Sequence, residues 1–142
     1  MSKTKISPEQ RARIAEISGY RCGYCLTQEI VIGMPLVVEH IIPEAKGGTS
    51  EDDNLWLACR RCNEFKGVQT SAVDPETGGK VRLFNPRTMA WQDHFAWTNN
   101  GTTIAGLTAV GRATIEALNL NNEYIVRSRR RWVSIGWHPP LT

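Results

Sequence analysis

Two short cysteine pairs carry the plainest chemistry in this chain. All four cysteines of the 142 residues fall in two Cys-x-x-Cys pairs, with none left over. Two such turns can present four thiolates to one ion, which is the tetrahedral shell that zinc prefers in structural sites. A closed shell leaves no open position for a substrate. The spacing therefore predicts one structural zinc ion bound by Cys22, Cys25, Cys59 and Cys62.

Two disulfides or redox-active dithiols are the alternative use of these cysteines. The duplicated spacing and a reducing cytosol argue against both. A cytoplasmic location is the default expectation, because residues 1–8 are polar and lack the apolar core of a secretory signal. Residues 30–38, the longest apolar stretch, are too few to span a membrane and include Gly33 and Pro35.

The segment between the pairs brings a histidine and a carboxylate side by side. It has 33 residues, 26–58, more than the roughly 15–20 of a plain four-cysteine finger. His40 stands next to Glu39 within it, and Asn63 follows the last cysteine directly. An imidazole can take a proton from water at neutral pH, and carboxylate and amide oxygens can bind a hard divalent cation. These groups predict metal-assisted hydrolysis.

Local signals predict the elements that must position these residues. Ser7 before Pro8, with Gln10 closing a capping box, predicts a helix that ends near Gly19. The next predicted elements are a strand at 36–42, a loop to residue 54, a strand at 55–58 and a helix at 60–67. The middle of the chain is therefore predicted to be a ββα unit.

The second half predicts an α/β extension of the same domain. Its predicted segments are a turn at 74–79, a strand at 81–84, a hairpin of 94–98 and 102–107, and helices at 108–118 and 122–135. We expect a single domain over residues 1–142, with the first helix and the zinc-held core in 1–67 and the extension in 68–142.

A run of motifs between and around the cysteine pairs resembles a known family. The motifs are Val38-Glu-His-Ile-Ile-Pro43, Gly47-Gly48, Asn54-Leu55 and Cys59-Arg-Arg-Cys-Asn63-Glu-Phe-Lys66-Gly67. In this order and spacing, residues 21–67 resemble the HNH endonucleases. The expected fold class is α+β: a ββα-metal (HNH) core held by a four-cysteine zinc site, with an N-terminal helix and a C-terminal extension of a β-hairpin and two helices.

The resemblance implies a role for each matching position. Glu39 would be the first metal ligand, His40 the general base, Asn54 the central asparagine and Asn63 the last ligand. Glu and Asn replace more familiar residues but keep oxygen ligands, which suit Mg²⁺ or Mn²⁺. We expect Asn54 to act as a scaffold that hydrogen-bonds the loop backbone. Adjacent strand residues point to opposite faces, so Glu39 and His40 share a site only if the strand is twisted or bulged.

A basic segment near the C-terminus favours an anionic partner, DNA. The net charge of +3 is weak support, but residues 123–142 carry four arginines against one acid. A solvated helix face is the alternative. The side chains expected to contact DNA are Lys66, Arg127, Arg130 and Arg131. Nothing in the sequence indicates an oligomeric state.

The favoured function is a metal-dependent DNA endonuclease, and two other functions compete with it. One is a non-catalytic zinc-ribbon module that binds nucleic acid, and the other is a structural protein with a degenerate motif. Glu39 argues against the binding module, because a carboxylate facing phosphate repels it unless a cation intervenes. His94 and His138 are expected to be structural. The aromatic residues near His94 are expected to form core rather than to stack bases: Trp91, Phe95 and Trp97.

Overall fold

The computed structural model describes residues 6–140, in which short helices alternate with strand pairs. In chain order the elements are α1 (Pro8–Ile17), α2 (Glu29–Ile32), β1 (Val37–His40), β2 (Leu55–Ala58), α3 (Arg60–Lys66), β3 (Ser71–Val73), β4 (Lys80–Arg82), α4 (Trp91–His94), β5 (Phe95–Thr98), β6 (Thr103–Gly106), α5 (Ala109–Leu118) and α6 (Glu123–Ser134). Three separate antiparallel pairs form: β1–β2, β3–β4 and β5–β6. No helix within 6–140 is both long and apolar enough to cross a bilayer.

The predicted ββα unit is present as β1, β2 and α3. Val37 pairs with Ala58 and His40 with Leu55, with no residue inserted between them. β1 is shorter than predicted and ends at His40. Beyond it the Ile41 amide still donates to Asn54 O at 2.8 Å. The chain then turns through two 3-10 turns, at Glu44–Lys46 and Asp52–Asn54.

Helix α1 begins as predicted, but its capping box does not close. Ser7 Oγ accepts a hydrogen bond from the backbone N–H of Gln10 at 3.0 Å. The Gln10 side-chain amide instead donates to Ser50 O at 2.7 Å and to Asp52 Oδ1 at 2.9 Å. The motif predicted the start of the helix correctly, but the Gln10 side chain contacts the loop before β2 instead of the Ser7 amide. As a result, α1 anchors the loop that precedes β2.

The extension contains more elements than the predicted single hairpin and two helices. β5 and β6 form the predicted hairpin, and α5 and α6 begin after the caps Thr108 and Asn122. A second hairpin, β3–β4, closes around the predicted turn, and the four-residue helix α4 precedes β5. Three- and four-residue elements carry too little periodicity to be recognised in a sequence.

One hydrophobic core joins the two halves of the chain. Leu55 and Leu57 of β2 belong to the same buried cluster as Phe84, Trp91 and Phe95 of the extension. Trp91 and Phe95 are buried, as predicted, with ring centroids 5.2 Å apart. This shared core packs the extension directly against the ββα unit.

Polar contacts attach the extension at two further points. Trp91 Nε1 donates to Tyr24 O at 2.9 Å, which joins α4 to the first cysteine pair. Arg112 of α5 binds the buried carboxylate of Asp74 through two hydrogen bonds of 2.9 Å each. Since Asp74 follows β3 directly, the second contact fixes the β3–β4 hairpin on α5.

Candidate metal centre and active site

The four cysteines form a metal site, as their spacing predicts. Their sulfurs are buried and all lie within 4.8 Å of one another. The sulfurs of Cys25 and Cys59 are 3.7 Å apart. Zinc–sulfur bonds of about 2.3 Å in a tetrahedron place sulfurs about 3.8 Å apart, whereas a disulfide needs about 2.05 Å. All four thiols are free, so the set fits zinc and not two disulfides.

Hydrogen-bond donors surround these sulfurs. Cys59 Sγ accepts from the backbone N–H of Cys62 at 3.4 Å and thereby caps α3. Arg61 Nη2 lies 3.6 Å from Cys25 Sγ, and Thr27 Oγ1 lies 3.0 Å from the same sulfur. Donors of this kind stabilise thiolates, which is the form that binds a metal.

The second cysteine pair also fixes the position of Asn63. This residue follows Cys62 in the first turn of α3, where its backbone N–H donates to Cys59 O at 3.0 Å. Its side chain is half-buried and has no hydrogen-bond partner among residues 6–140. The amide is therefore available to a ligand, and the metal site determines where it stands.

His40 ends β1 with its imidazole half-buried. Its Nε2 lies 2.9 Å from Ser50 Oγ, in the loop between the two strands. Ser50 is held in turn by Gln10, which binds its carbonyl oxygen. Sequence reasoning missed Ser50, because one serine in a loop rich in small polar residues has no distinguishing pattern.

Asn54 holds that loop closed. Its Oδ1 accepts from the Ile42 amide at 2.8 Å, and its Nδ2 donates to Ile42 O at 3.0 Å and to Thr49 O at 2.8 Å. A Cβ on Gly48 would stand 1.7 Å from Ile42 O, so no other residue fits there. These are the contacts of a scaffold residue, in agreement with the role that we expected for Asn54.

Glu39 is part of a buried polar cluster. Its side chain is 3% exposed, and Oε2 accepts from Tyr24 Oη at 2.6 Å. Oε1 lies 2.8 Å from Lys66 Nζ, which makes a buried ion pair. Lys66 is 2% exposed, and its ammonium also donates to Ile41 O at 2.9 Å. Burial raises the pKa of Glu39, against the opposing effects of Lys66 and Tyr24.

The structure does not bring Glu39 and His40 into one site. The β1–β2 register runs through both residues without a bulge, so their side chains leave opposite faces of the strand. The cation beside Glu39 is the Lys66 ammonium. As arranged here, the Glu39 carboxylate is enclosed by Lys66 and Tyr24.

Two residues of the buried cluster differ from what the sequence suggested. Lys66 was expected near a phosphate, yet its ammonium is enclosed by protein groups. Tyr24 was not singled out, although it lies inside the first cysteine pair, the one signal that marked it. Through Tyr24, the metal site and β1 are directly connected.

Helix α6 carries three exposed arginines and one buried arginine. Arg127, Arg130 and Arg131 are exposed, and Arg127 pairs with Glu123 at 3.5 Å. Arg129 is buried, where it donates to Leu120 O at 2.8 Å. The three arginines expected to contact DNA are therefore at the surface.

The other two histidines make structural contacts. His94 Nδ1 lies 2.7 Å from Thr108 Oγ1, the cap of α5. His138 is buried, with its ring 4.5 Å from that of Trp97 in an edge-on arrangement. Burial, reinforced by the charge of Arg129, lowers the pKa of His138 to about 4. Both side chains lie outside the ββα unit.

A ββα unit held at a four-cysteine cluster, with a histidine ending its first strand, is the arrangement expected of a ββα-metal core. The comparison with protein families agrees: residues 22–69 match the model described as HNH endonuclease. This match confirms the predicted resemblance to the HNH endonucleases over that segment. Neither a curated protein nor a solved structure matches the chain.

Proposed function

We propose that this protein is an endonuclease that hydrolyses phosphodiester bonds of DNA with His40 as general base. The observation that carries the proposal is the placement of His40 within the segment that matches HNH endonucleases: it ends β1, half-exposed, and Ser50 orients its imidazole. Asn54 and Gly48 hold the loop that carries Ser50. The base is therefore held by rigid surroundings, which catalysis requires.

The contact with Ser50 is compatible with a division of roles between the two imidazole nitrogens. When Nε2–H donates to Ser50 Oγ, Nδ1 carries the lone pair and accepts the proton of the attacking water. The water oxygen then bonds to phosphorus, and the bond to the 3′ oxygen breaks. That oxygen takes up a proton, which leaves the 5′-phosphate and 3′-hydroxyl ends that the family resemblance implies.

The proposal includes a divalent cation, Mg²⁺ or Mn²⁺, near Glu39 and Asn63. Such an ion would offset charge on the phosphate. Oxygen donors suit it, but Lys66 now neutralises the Glu39 carboxylate. Binding through Glu39 therefore requires Lys66 to move away. Glu39→Gln and Asn63→Ala should each shift the magnesium dependence of cleavage if Glu39 and Asn63 are ligands.

Plasmid cleavage tests the proposal. Supercoiled plasmid with magnesium or manganese should be nicked or linearised by the parent protein. His40→Ala should slow cleavage by about 10²- to 10⁴-fold, the usual contribution of a positioned base, with metal content and DNA affinity unchanged. His94→Ala is the matched control, since it removes an imidazole outside the ββα unit.

Two outcomes would count against the proposal. Equal cleavage by His40→Ala would remove His40 from the mechanism. A parent that binds DNA but cuts none, across substrates and divalent ions, would favour the non-catalytic zinc-ribbon module.

A further inference from the structure

A cleft opens between the ββα unit and the β3–β4 hairpin. Its volume is about 420 Å³, within the range of sites that enclose a small ligand. One wall is the chain that follows His40, including Ile42 and Lys46. The other wall includes Ser71 of β3 and Arg82 of β4. His40 itself is not a lining residue, but the lining includes Ile41 and Ile42, which directly follow it in the chain.

The lining of this cleft is basic and rich in hydrogen-bond donors, and it includes no acidic side chain. Lys46 and Arg82 are exposed, and neither has an ion-pair partner among residues 6–140. Thr70, Ser71 and Thr88 add hydroxyl groups to the lining. Lysine, arginine and hydroxyl groups are the usual ligands of nucleic-acid phosphates.

Apolar side chains complete the cleft. Ile42 is 46% exposed, and the half-buried Met89 lines the opposite side. A nucleotide presents a charged phosphate together with the flat, weakly polar faces of its sugar and base. The lining therefore offers cations to the phosphate and apolar surface to the sugar and base.

We propose that this cleft binds the DNA strand next to the cleaved bond, with Lys46 and Arg82 contacting its phosphates. This inference rests on the proposed function. It is independent of α6, whose Arg127 is already paired with Glu123.

The salt dependence of DNA binding tests the cleft separately from catalysis. Binding of a fluorescent oligonucleotide is measured in the His40→Ala background at several salt concentrations. Lys46→Gln and Arg82→Gln should each reduce the slope of log affinity against log salt by about 0.7–0.9, and the double variant by about twice as much. Lys80→Gln is the matched control, because Lys80 lies on the same strand as Arg82 and outside the cleft.

A second measurement locates the contacted phosphates. Neutral methylphosphonate is placed at single positions on either side of the cleaved bond. Methylphosphonate at one position on one side should weaken binding of the His40→Ala protein. The same modified DNA should show no further loss of binding when Lys46 and Arg82 are also replaced. This loss of additivity is specific to a direct contact.

The possible failures are distinguishable. Unchanged salt slopes in a protein that binds and cuts DNA would overturn the cleft proposal and leave the nuclease proposal standing. An equal loss in Lys80→Gln would show a general charge effect and would also overturn it. If the His40→Ala protein does not bind DNA and the parent does not cut it, both proposals are overturned.

Discussion

The carboxylate of Glu39 and the ammonium of Lys66 lie 2.8 Å apart in the interior, with side chains 3% and 2% exposed. Glu39 neighbours the proposed base His40 in β1, whereas Lys66 ends α3. The pair therefore holds the helix of the ββα unit on the strand that carries His40. Each charge depends on the other, because either alone would be costly at that depth.

Removing one partner should strongly destabilise the protein. Lys66→Met leaves the Glu39 carboxylate with Tyr24 alone, and the free energy of unfolding should fall by about 3–5 kcal/mol. The double variant Glu39→Gln/Lys66→Met should lose less than the sum of the single losses. Denaturant unfolding of the zinc-loaded protein measures both. Lys80→Met, at an exposed position, is the control, and a Lys66→Met protein as stable as the parent would contradict the interpretation.

Ser50 should affect the rate rather than the affinity. Ser50→Ala removes the group that lies 2.9 Å from His40 Nε2. The loss of one neutral hydrogen bond, about 1 kcal/mol, should reduce kcat about fivefold. KM and metal content should stay unchanged, and Ser50→Thr should restore most of the rate. Thr49→Ala, in the same loop, serves as control; an unchanged kcat in Ser50→Ala would exclude the orienting role.

The cysteine site should hold about one zinc ion per chain. Elemental analysis of the purified protein measures this directly. Cys59→Ala should lose the ion and disorder the start of α3, because Cys59 Sγ also accepts the capping hydrogen bond from the Cys62 amide. Cleavage should then fail, although zinc takes no part in the reaction. A folded, metal-free protein with two disulfides by mass spectrometry would refute the assignment.

Asp74 should make folding stability depend on pH in the acidic range. Arg112 holds the pKa of Asp74 below its usual range, with further help from the Glu76 amide and the Thr77 hydroxyl. As the pH falls, Asp74 therefore takes up a proton near pH 4 in the unfolded chain and only at lower pH in the folded protein. The stabilisation from the ion pair is present above pH 4 and is lost as the pH falls below it. The stability difference between parent and Asp74→Asn should shrink from pH 6 to pH 3. A constant difference would show that the ion pair contributes nothing.

The exposed arginines of α6 should contribute to DNA binding if that helix contacts phosphates. Replacing Arg127, Arg130 and Arg131 with glutamine should flatten the salt dependence by about one slope unit per lost contact, while the fold persists. Arg129→Gln should instead destabilise the protein, since Arg129 is buried and bonded to backbone carbonyls. If the slope does not change, α6 is a solvated helix face.

Sequence reasoning succeeded where the signal was local. Two residues between paired cysteines place both sulfurs on one turn, so the metal site follows from spacing alone. The start of α1 follows similarly from Ser7 and Pro8, because a cap acts on amides within the next turn. Asn54 also makes hydrogen bonds to the backbone groups of the loop, as its place before a short strand suggested.

Only the tertiary structure decided which way the polar side chains face and what they meet. Glu39 and His40 are adjacent in sequence, yet the regular register sends one into the core and leaves the other half-exposed. Lys66, the partner of Glu39, lies in α3 rather than in the same strand. From the sequence alone, Glu39 and Lys66 were each expected to face a ligand instead of each other. The reason is physical: a charge in the core must find a countercharge wherever packing places one, and sequence spacing does not encode that distance.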